Sequence, residues 1–271
     1  MAGEVGQVSK GQKVRLDKLL LDRGLVKSRN RGQRLIMAGE VLVGGHRAVK
    51  PSELVNVDAN IEIVTPLPYV SRGGLKLAAA LETFEIAVED CVCADVGACT
   101  GGFSDVMLQR GARRVYAIDV GYGQLDWKLR QDPRIVIMER TNARYLESLP
   151  EPIHFVGVDV SFISLRIVLP AVRKWLALSA DIVALVKPQF EAGPANVGAG
   201  GVVRDPDVHQ QVLREILDWS KENGLWPVGL IESPVKGASG NREFLIRLRS
   251  EPDDLPRVNE YEIARVVVGR D

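Results

Sequence analysis

A doubly wound α/β domain preceded by a small basic α+β module is the architecture this 271-residue sequence predicts, on three observations. From residue 91 onward, short apolar runs alternate with amphipathic segments, the pattern of a largely parallel sheet covered on both faces. Within that region Val92-Cys-Ala-Asp-Val runs directly into Gly97-Ala-Cys-Thr-Gly-Gly-Phe. This reads as a buried strand feeding a glycine-bearing turn and a helix, where a ligand can approach the main chain closely. Upstream, residues 10–50 hold eleven Lys and Arg against three Asp and Glu, although the whole chain balances at 35 basic and 35 acidic residues. Basic charge is therefore concentrated at one end, and the remainder is net acidic. The length suffices for two domains, since single domains usually run about 100 to 200 residues.

Taken in order, residues 1–12 are polar, lack apolar periodicity and are expected to be a disordered tail. A helical pattern begins at Val14, with Leu16, Leu19 and Leu20 on one face and Gly24 as its stop. Ser28 caps a second helix, 29–38, which turns Leu35 and Ile36 inward and ends at Gly39. Residues 41–45 read as a strand entering the Gly44-Gly45 turn, and 60–64 as a second β-like run. The pattern from Arg15-Leu-Asp-Lys-Leu-Leu through Ala38-Gly-Glu-Val-Leu-Val-Gly-Gly-His to Lys50-Pro51 resembles an S4 RNA-binding domain, placed at 13–64. The resemblance implies RNA contact through a basic face of Arg15, Lys18, Arg23, Lys27, Arg29, Arg31 and Arg34. Such a face would neutralise phosphates without reading sequence. An ordinary solvated basic face is the alternative that charge alone leaves open.

Residues 65–70, with two prolines, read as a stiff linker, and a second domain is assigned to 71–271. Ser71-Arg-Gly-Gly-Leu-Lys opens a helix with Leu77, Leu81 and Phe84 at helical spacing; Lys76 near its start opposes the helix dipole and is singled out for that reason. Strands are predicted at 91–96, 115–120, 134–138, 155–160, 181–187, 225–232 and 243–249, and helices at 103–110, 123–130, 164–176 and 208–223. Ligands bind beyond the carboxyl ends of such strands. Those ends carry Asp95, Asp119, Asp159 and Lys187, four ionisable residues on one edge.

The turn after the first of these strands has neither the G-x-G-x-x-G of a dinucleotide site nor the Gly-Lys-Ser/Thr of a phosphate loop. Asp95, on the strand itself, suits a ligand with an ammonium group, and Asp-x-Gly-x-x-Thr-Gly-Gly resembles motif I of S-adenosylmethionine-dependent methyltransferases. A tight turn with incidental glycines is the plain alternative. The resemblance implies S-adenosyl-L-methionine as cofactor, held by Asp95, Gly97, Ala98, Thr100, Gly101, Gly102 and Phe103. Asp119, 24 residues after Asp95 and followed by Gly121 and Gly123, can reach ribose hydroxyls; Asn142 is placed at the adenine. Asp159-Val-Ser-Phe lacks the Asp/Asn-Pro-Pro-aromatic run of amino-group methyltransferases, and Lys187-Pro-Gln-Phe offers no cysteine for carbon methylation of pyrimidines. A lysine and an acid at neighbouring strand ends suit an alcohol, whose proton must leave as it attacks.

Residues 71–249 as a whole resemble the TlyA family of ribosomal RNA 2′-O-methyltransferases, historically labelled haemolysins and related to the FtsJ methyltransferases. The resemblance is carried by Ser71-Arg-Gly-Gly-Leu-Lys, Asp95-Val-Gly-Ala-Cys-Thr-Gly-Gly-Phe, Asp119-Val-Gly-Tyr-Gly-Gln-Leu and Glu139-Arg-Thr-Asn-Ala-Arg. It continues in Asp159-Val-Ser-Phe-Ile-Ser-Leu, Val186-Lys-Pro-Gln-Phe-Glu and Gly240-Asn-Arg-Glu-Phe; Cys99 stands where members often have Ser. It implies an α/β fold, a Rossmann-like class I methyltransferase whose mostly parallel sheet has an antiparallel last strand, with a small N-terminal S4 α+β domain. It also implies a Lys-Asp-Lys-Glu tetrad on Lys76, Asp159, Lys187 and Glu243, converging because the last strand begins at the edge where the others end. In that scheme Lys187 accepts a 2′-hydroxyl proton, Asp159 and Glu243 orient the lysines, and Lys76 positions the ribose. A cytidine of ribosomal RNA is the implied acceptor, and ribosomal subunits or the 70S particle are the implied partners. The glycine-rich stretch 191–201 is expected to be a mobile loop beside the site, against the alternative of an inert connection.

No apolar run approaches the roughly 20 residues of a membrane-spanning helix, and the first ten residues lack the apolar core of a signal peptide. A cytoplasmic protein without membrane association is expected. Cys91, Cys93 and Cys99 fit neither a disulfide framework nor a zinc site and are expected to be packed core thiols. His46, His154 and His209 are scattered, so no metal is assigned, and no obligate protein partner is indicated. A noncatalytic ribosome-binding or assembly factor and a membrane-lytic protein are the competing classes. Intact motif I and all four tetrad residue types argue against the first, and the lack of a spanning or long cationic amphipathic helix against the second.

Overall fold

The computed structural model describes residues 13–37, 39–64, 67–252 and 254–269, in two compact units, 1–67 and 68–271. The expected tail 1–12, and Thr65 and Pro66 of the expected linker, lie outside the described residues. In the first unit a strand, β1 (Lys13–Arg15), precedes α1 (Leu16–Asp22), so the chain is extended at Val14 where a helix was expected to begin. Pairing overrides the local pattern: β1 lies antiparallel to β4 (Leu54–Asn56), with Val14 opposite Val55. In α2 (Arg29–Met37), the Arg31 backbone N–H donates to Ser28 Oγ at 3.3 Å, as expected of a cap. Strands β2 (Val41–Val43), β3 (His46–Arg47) and β5 (Ile61–Ile63) form an antiparallel sheet in the order β3-β2-β5. Leu16, Leu20, Ile36 and Val41 close the core of this unit.

The second unit opens with α3 (Gly73–Thr83), followed by strands β6 (Val92–Val96), β7 (Arg114–Ile118), β8 (Ile135–Met138), β9 (Ile153–Val158) and β10 (Leu176–Val186). The last two strands are β11 (Trp226–Glu232) and β12 (Phe244–Arg249). The seven-stranded sheet runs β11-β12-β10-β9-β6-β7-β8, with β12 antiparallel to both neighbours. The antiparallel last strand is thus inserted between β11 and β10. The helices are α4 (Gly102–Gln109), α5 (Trp127–Arg130), α6 (Leu165–Arg173), α7 (Pro188–Glu191), α8 (Pro206–Glu222) and α9 (Glu260–Val268).

The period-two alternation of the strands builds two cores. Val156, Ile182 and Ile246 pack with Leu169 of α6, Leu213 of α8 and Ile263 of α9. Their sequence neighbours Phe155, Val183 and Leu245 face the opposite layer, with Leu77 of α3 and Phe103 and Met107 of α4. Four elements of this unit differ from expectation, among them the short α7, which was not anticipated. The 123–130 helix is reduced to α5, begun by the Asp126 carboxylate accepting from Lys128 N at 2.8 Å. Strand β10 starts at Leu176, where a helix was expected to end. Helix α9, opened by a reciprocal cap between Asn259 and Glu262, was not anticipated. Of the cysteines, Cys93 is buried, whereas Cys99 is exposed in the motif I turn and is no core thiol.

Candidate active site

Strand register gathers the ionisable residues. Val96 of β6 lies opposite Val158 of β9, so Gly97 and Asp159 emerge side by side, and Asp159 N donates to Val96 O at 2.9 Å. Val186 of β10 lies opposite Phe244 of β12, which brings Lys187 and Glu243 out at the same edge. Gly97 has φ +87°, and a Cβ there would collide with the Asp159 carbonyl, so only glycine lets the two strand ends approach.

Two cavities share this edge. The first, about 510 Å³, is lined by Asp95, Gly97, Ala98, Thr100, Gly102 and Phe103 together with Lys76, Asp159, Lys187 and Glu243. The second, about 530 Å³, is lined by Asp119 and Asn142 and meets the first at Gly97, Asp159 and Phe162. Gly101 lines neither; it turns with φ +93° and a Cβ there would strike Leu129, which gives it a packing role.

Asp95 is 1% exposed. Its Oδ2 accepts from Ser104 N at 2.8 Å and Ser104 Oγ at 2.7 Å, while Oδ1 has no partner among the described residues. Burial pushes the carboxyl up to about 7; the Ser104 hydrogen bonds oppose this and the charges of Asp159 and Asp119 add to it. A buried acceptor left bare beside a cavity fits the ammonium of an amino-acid-like ligand. Asp119, expected at a ribose, also braces the turn: Oδ2 accepts from Cys99 N at 2.8 Å and Oδ1 from Gly121 N at 2.6 Å. A carboxylate has lone pairs to spare for hydroxyls beyond those two bonds. Asn142 Oδ1 accepts from Arg144 N at 3.2 Å, leaving its amide group on the wall of the second cavity.

The four tetrad residues meet as two pairs. Lys76 Nζ donates to Glu243 Oε2 at 2.6 Å, and the Glu243 side chain is only 3% exposed. Lys187 Nζ lies 2.7 Å from Asp159 Oδ1 and donates to Ser161 Oγ at 2.9 Å. Lys76 reaches the cavity from the first turn of α3, so its unfavourable placement on that helix is offset by Glu243. Several lining residues escaped the sequence reading. Ser161 is one, and Phe162 is another, 91% exposed, at φ +63°, with its ring centroid 5.0 Å from that of Phe190. The segment 235–239 also lines the first cavity; Gly237 N donates to the Asn241 carbonyl at 2.9 Å, and the Asn241 side chain joins it to the neighbouring loop, its Oδ1 accepting from Val203 N and its Nδ2 donating to Gly201 O. Glu191, expected to begin a loose loop, instead ends α7 and is buried.

On the first unit, all seven basic residues proposed for RNA are exposed, yet three are engaged internally. Arg15 and Arg29 donate to the Asp17 carboxylate, and Arg23 donates to the Val57 and Ala59 carbonyls. Lys18, Lys27, Arg31 and Arg34 make no side-chain ion pair among the described residues. Among the described residues no cluster of His, Cys, Asp and Glu could hold a metal ion.

The FtsJ-like methyltransferase model matches residues 69–250, and the S4 domain model matches residues 14–61. YqxC of Bacillus subtilis (strain 168), a candidate rRNA methyltransferase, is 48% identical over 268 residues, which are 94% of this chain and 93% of that protein. The 16S/23S rRNA (cytidine-2′-O)-methyltransferase TlyA of Mycobacterium tuberculosis (strain ATCC 25618 / H37Rv) is 47% identical over 246 residues, 89% of this chain and 92% of that protein. A solved candidate hemolysin from Streptococcus thermophilus has 44% identity and a TM-score of 0.73, covering 94% of both chains. With an S4 domain ahead of a methyltransferase fold, the chain belongs to the FtsJ-like methyltransferases and, among them, to the TlyA family.

Proposed function

We propose that this chain transfers a methyl group from S-adenosylmethionine to a ribose 2′-hydroxyl of ribosomal RNA, with cytidine as the acceptor nucleoside, in the cytoplasm. The observation that carries the reading is the pair of lysine–carboxylate contacts that line one cavity together with motif I. An alcohol acceptor needs proton management and alignment, and lysines held by acids supply both. Cys99, although it lines the cavity, turns its Sγ to Gln124 Oε1 at 3.3 Å, away from a nucleophile's role. Among the described residues no helix is long and apolar enough to cross a membrane.

The cofactor supplies, when bound, a methyl group on a sulfonium centre. Asp95 Oδ1 would accept its ammonium, the main chain at Gly97, Ala98 and Gly102 would line its path, and Asp119 and Asn142 would take the ribose and adenine. Lys187, held by Asp159 and Ser161, would accept the 2′-hydroxyl proton as the hydroxyl oxygen takes the methyl group and the sulfonium leaves as the neutral thioether, and the added proton would rest against Asp159. Lys76, held by Glu243, orients the ribose oxygens. The exposed Phe162 ring at the meeting of the two cavities would stack on the acceptor base. On the S4 unit, Lys18, Lys27, Arg31 and Arg34 supply the freest phosphate contacts, and Arg15, Arg23 and Arg29 contribute charge while braced.

Free lysine has a pKa of about 10.4, so alignment can carry part of the rate. Lys187→Arg separates the two roles: substantial transfer means that charge and placement suffice, and lost turnover with intact binding means a base. The identity of the reaction is tested by incubating unmodified 30S, 50S and 70S particles with methyl-labelled cofactor. A 2′-O-methylcytidine that forms with wild type and is absent with Lys187→Ala is the expected result. No incorporation in any particle, despite measurable cofactor and ribosome binding, would overturn the reading in favour of an assembly factor.

A further inference from the structure

Glu191 is a buried carboxylate that the proposed chemistry does not use. One oxygen accepts from Ser164 Oγ at 2.6 Å and the other from Leu165 N at 2.8 Å, with Arg166 Nη2 3.7 Å away. Ser164 and Leu165 open α6, directly after the segment that bears Asp159, Ser161 and Phe162. Glu191 closes α7, directly after Lys187. The two strand-end segments are therefore fastened twice, by Lys187 on Asp159 and Ser161, and one turn further on by Glu191 on Ser164 and Leu165.

The second fastening is not needed to start the helix. Ser164 Oγ already accepts from Arg166 N at 3.1 Å, so α6 has a cap of its own. What Glu191 adds is a tie between the loop after β9 and the loop after β10. Between the two fastenings sits Phe162 at φ +63°, a conformation that a bulky side chain keeps only where its surroundings over-determine it. Its ring leans on Phe190, the residue before Glu191.

We propose that Glu191 is a positioning residue for methyl transfer: by tying Ser164 and Leu165 to the end of α7 it sets Asp159 and Ser161 against Lys187 and holds Phe162 at the rim of the cavity. This inference rests on the tetrad reading given above. Its test compares Glu191→Ala and Glu191→Gln with wild type, measuring kcat and KM on unmodified ribosomal subunits, affinity for S-adenosylhomocysteine, and thermal unfolding. Glu191→Ala should lower kcat by about tenfold to a hundredfold, the scale of a small misplacement of reacting groups. Affinity for S-adenosylhomocysteine should fall by less than kcat, because the tie does not touch the 95–103 turn, Asp119 or Asn142. Glu191→Gln keeps an acceptor for Leu165 N and gains an N–H for Ser164 Oγ, so it should recover most of kcat. Combined with Ser161→Ala, Glu191→Ala should cost less than the product of the two single effects, since both act through Lys187. Should Glu191→Ala not fold, Ser164→Ala releases half of the same tie and should lower kcat in the same direction.

Wild-type kcat in a folded Glu191→Ala protein, or a loss that follows only the fall in folded fraction, would overturn the inference. The two levels of the argument separate cleanly. If Lys187→Ala is inactive while Glu191→Ala behaves as wild type, only the positioning role fails; if Lys187→Ala turns over normally, the tetrad reading fails first.

Discussion

Two buried acids, one in each unit, are treated in opposite ways. Asp17 in α1 is 0% exposed and receives donors on both oxygens, from Arg15, Arg29 and Gln33 Nε2. The Arg15 guanidinium beside it holds its carboxyl well below the usual carboxylate range, with Gln33 and Arg29 adding to the effect against burial. Asp95 on β6 is equally buried but satisfied on one oxygen, and its carboxyl is pushed up to about 7. An acid satisfied on both sides ties its own elements together. An acid left half-satisfied at a cavity is prepared for a group that the chain does not supply. The lysine–carboxylate pairs line the same cavity as Asp95, and they can be sorted by the same criterion.

The largest effect is expected at Glu243. Glu243→Ala leaves Lys76 buried without its counter-charge, and breaking a buried pair in this way costs about 3–5 kcal/mol, visible as a lower denaturant midpoint for residues 68–271. Replacing both partners, Lys76→Met with Glu243→Leu, should recover most of that stability while methyl transfer stays absent. A double variant as unstable as the single one would make the pair a structural tie of the Asp17 kind. Next, Asp95→Asn should weaken S-adenosylhomocysteine binding by about tenfold to a hundredfold, the worth of one charge-assisted hydrogen bond, without lowering the melting temperature. Unchanged affinity would remove the contrast between the two acids.

Asp17→Ala should cost the first unit about 1–3 kcal/mol, read from faster amide exchange across residues 13–64. Because the folded-state pKa of Asp17 is depressed, its contribution is fully present above the unfolded carboxylate value of about 4 and is lost as pH falls through the folded one. That part of the acid sensitivity should vanish in the variant. The smallest effect concerns Asp95 again. With its carboxyl raised to about 7, it is mostly protonated in the free protein below that pH, and a ligand ammonium requires it ionised. Affinity for S-adenosylhomocysteine should therefore rise by about tenfold between about pH 6 and about pH 8, and Asp95→Asn should flatten the profile.

The candidate catalytic edge was legible in the sequence because strand ends carry it: an acid or a lysine at the close of four apolar runs is visible without knowing how the strands pair. Their pairing was not legible from alternation alone. That β12 runs antiparallel was implied by the TlyA resemblance; that it inserts between β11 and β10, and so sets Glu243 beside Lys187, is a matter of strand order and register that neither the resemblance nor local pattern contained. Ser161, Phe162 and Glu191 were passed over because their contacts join segments far apart in sequence and leave no period. The charge count on the first unit likewise could not tell free arginines from those bound to Asp17 or to carbonyls. Helix α9 is a different kind of omission, since its Asn259-x-x-Glu262 cap is a readable signal that lay beyond the last recognised motif.

The central claim is that Lys187, placed by Asp159 and Ser161, drives transfer to a ribose 2′-oxygen. Single-turnover methyl transfer to unmodified ribosomal subunits, with cofactor saturating, measures it directly in wild type and Lys187→Ala. The account predicts a fall of about 10²–10⁴ in rate with S-adenosylhomocysteine and subunit binding intact; a wild-type rate in Lys187→Ala would contradict it.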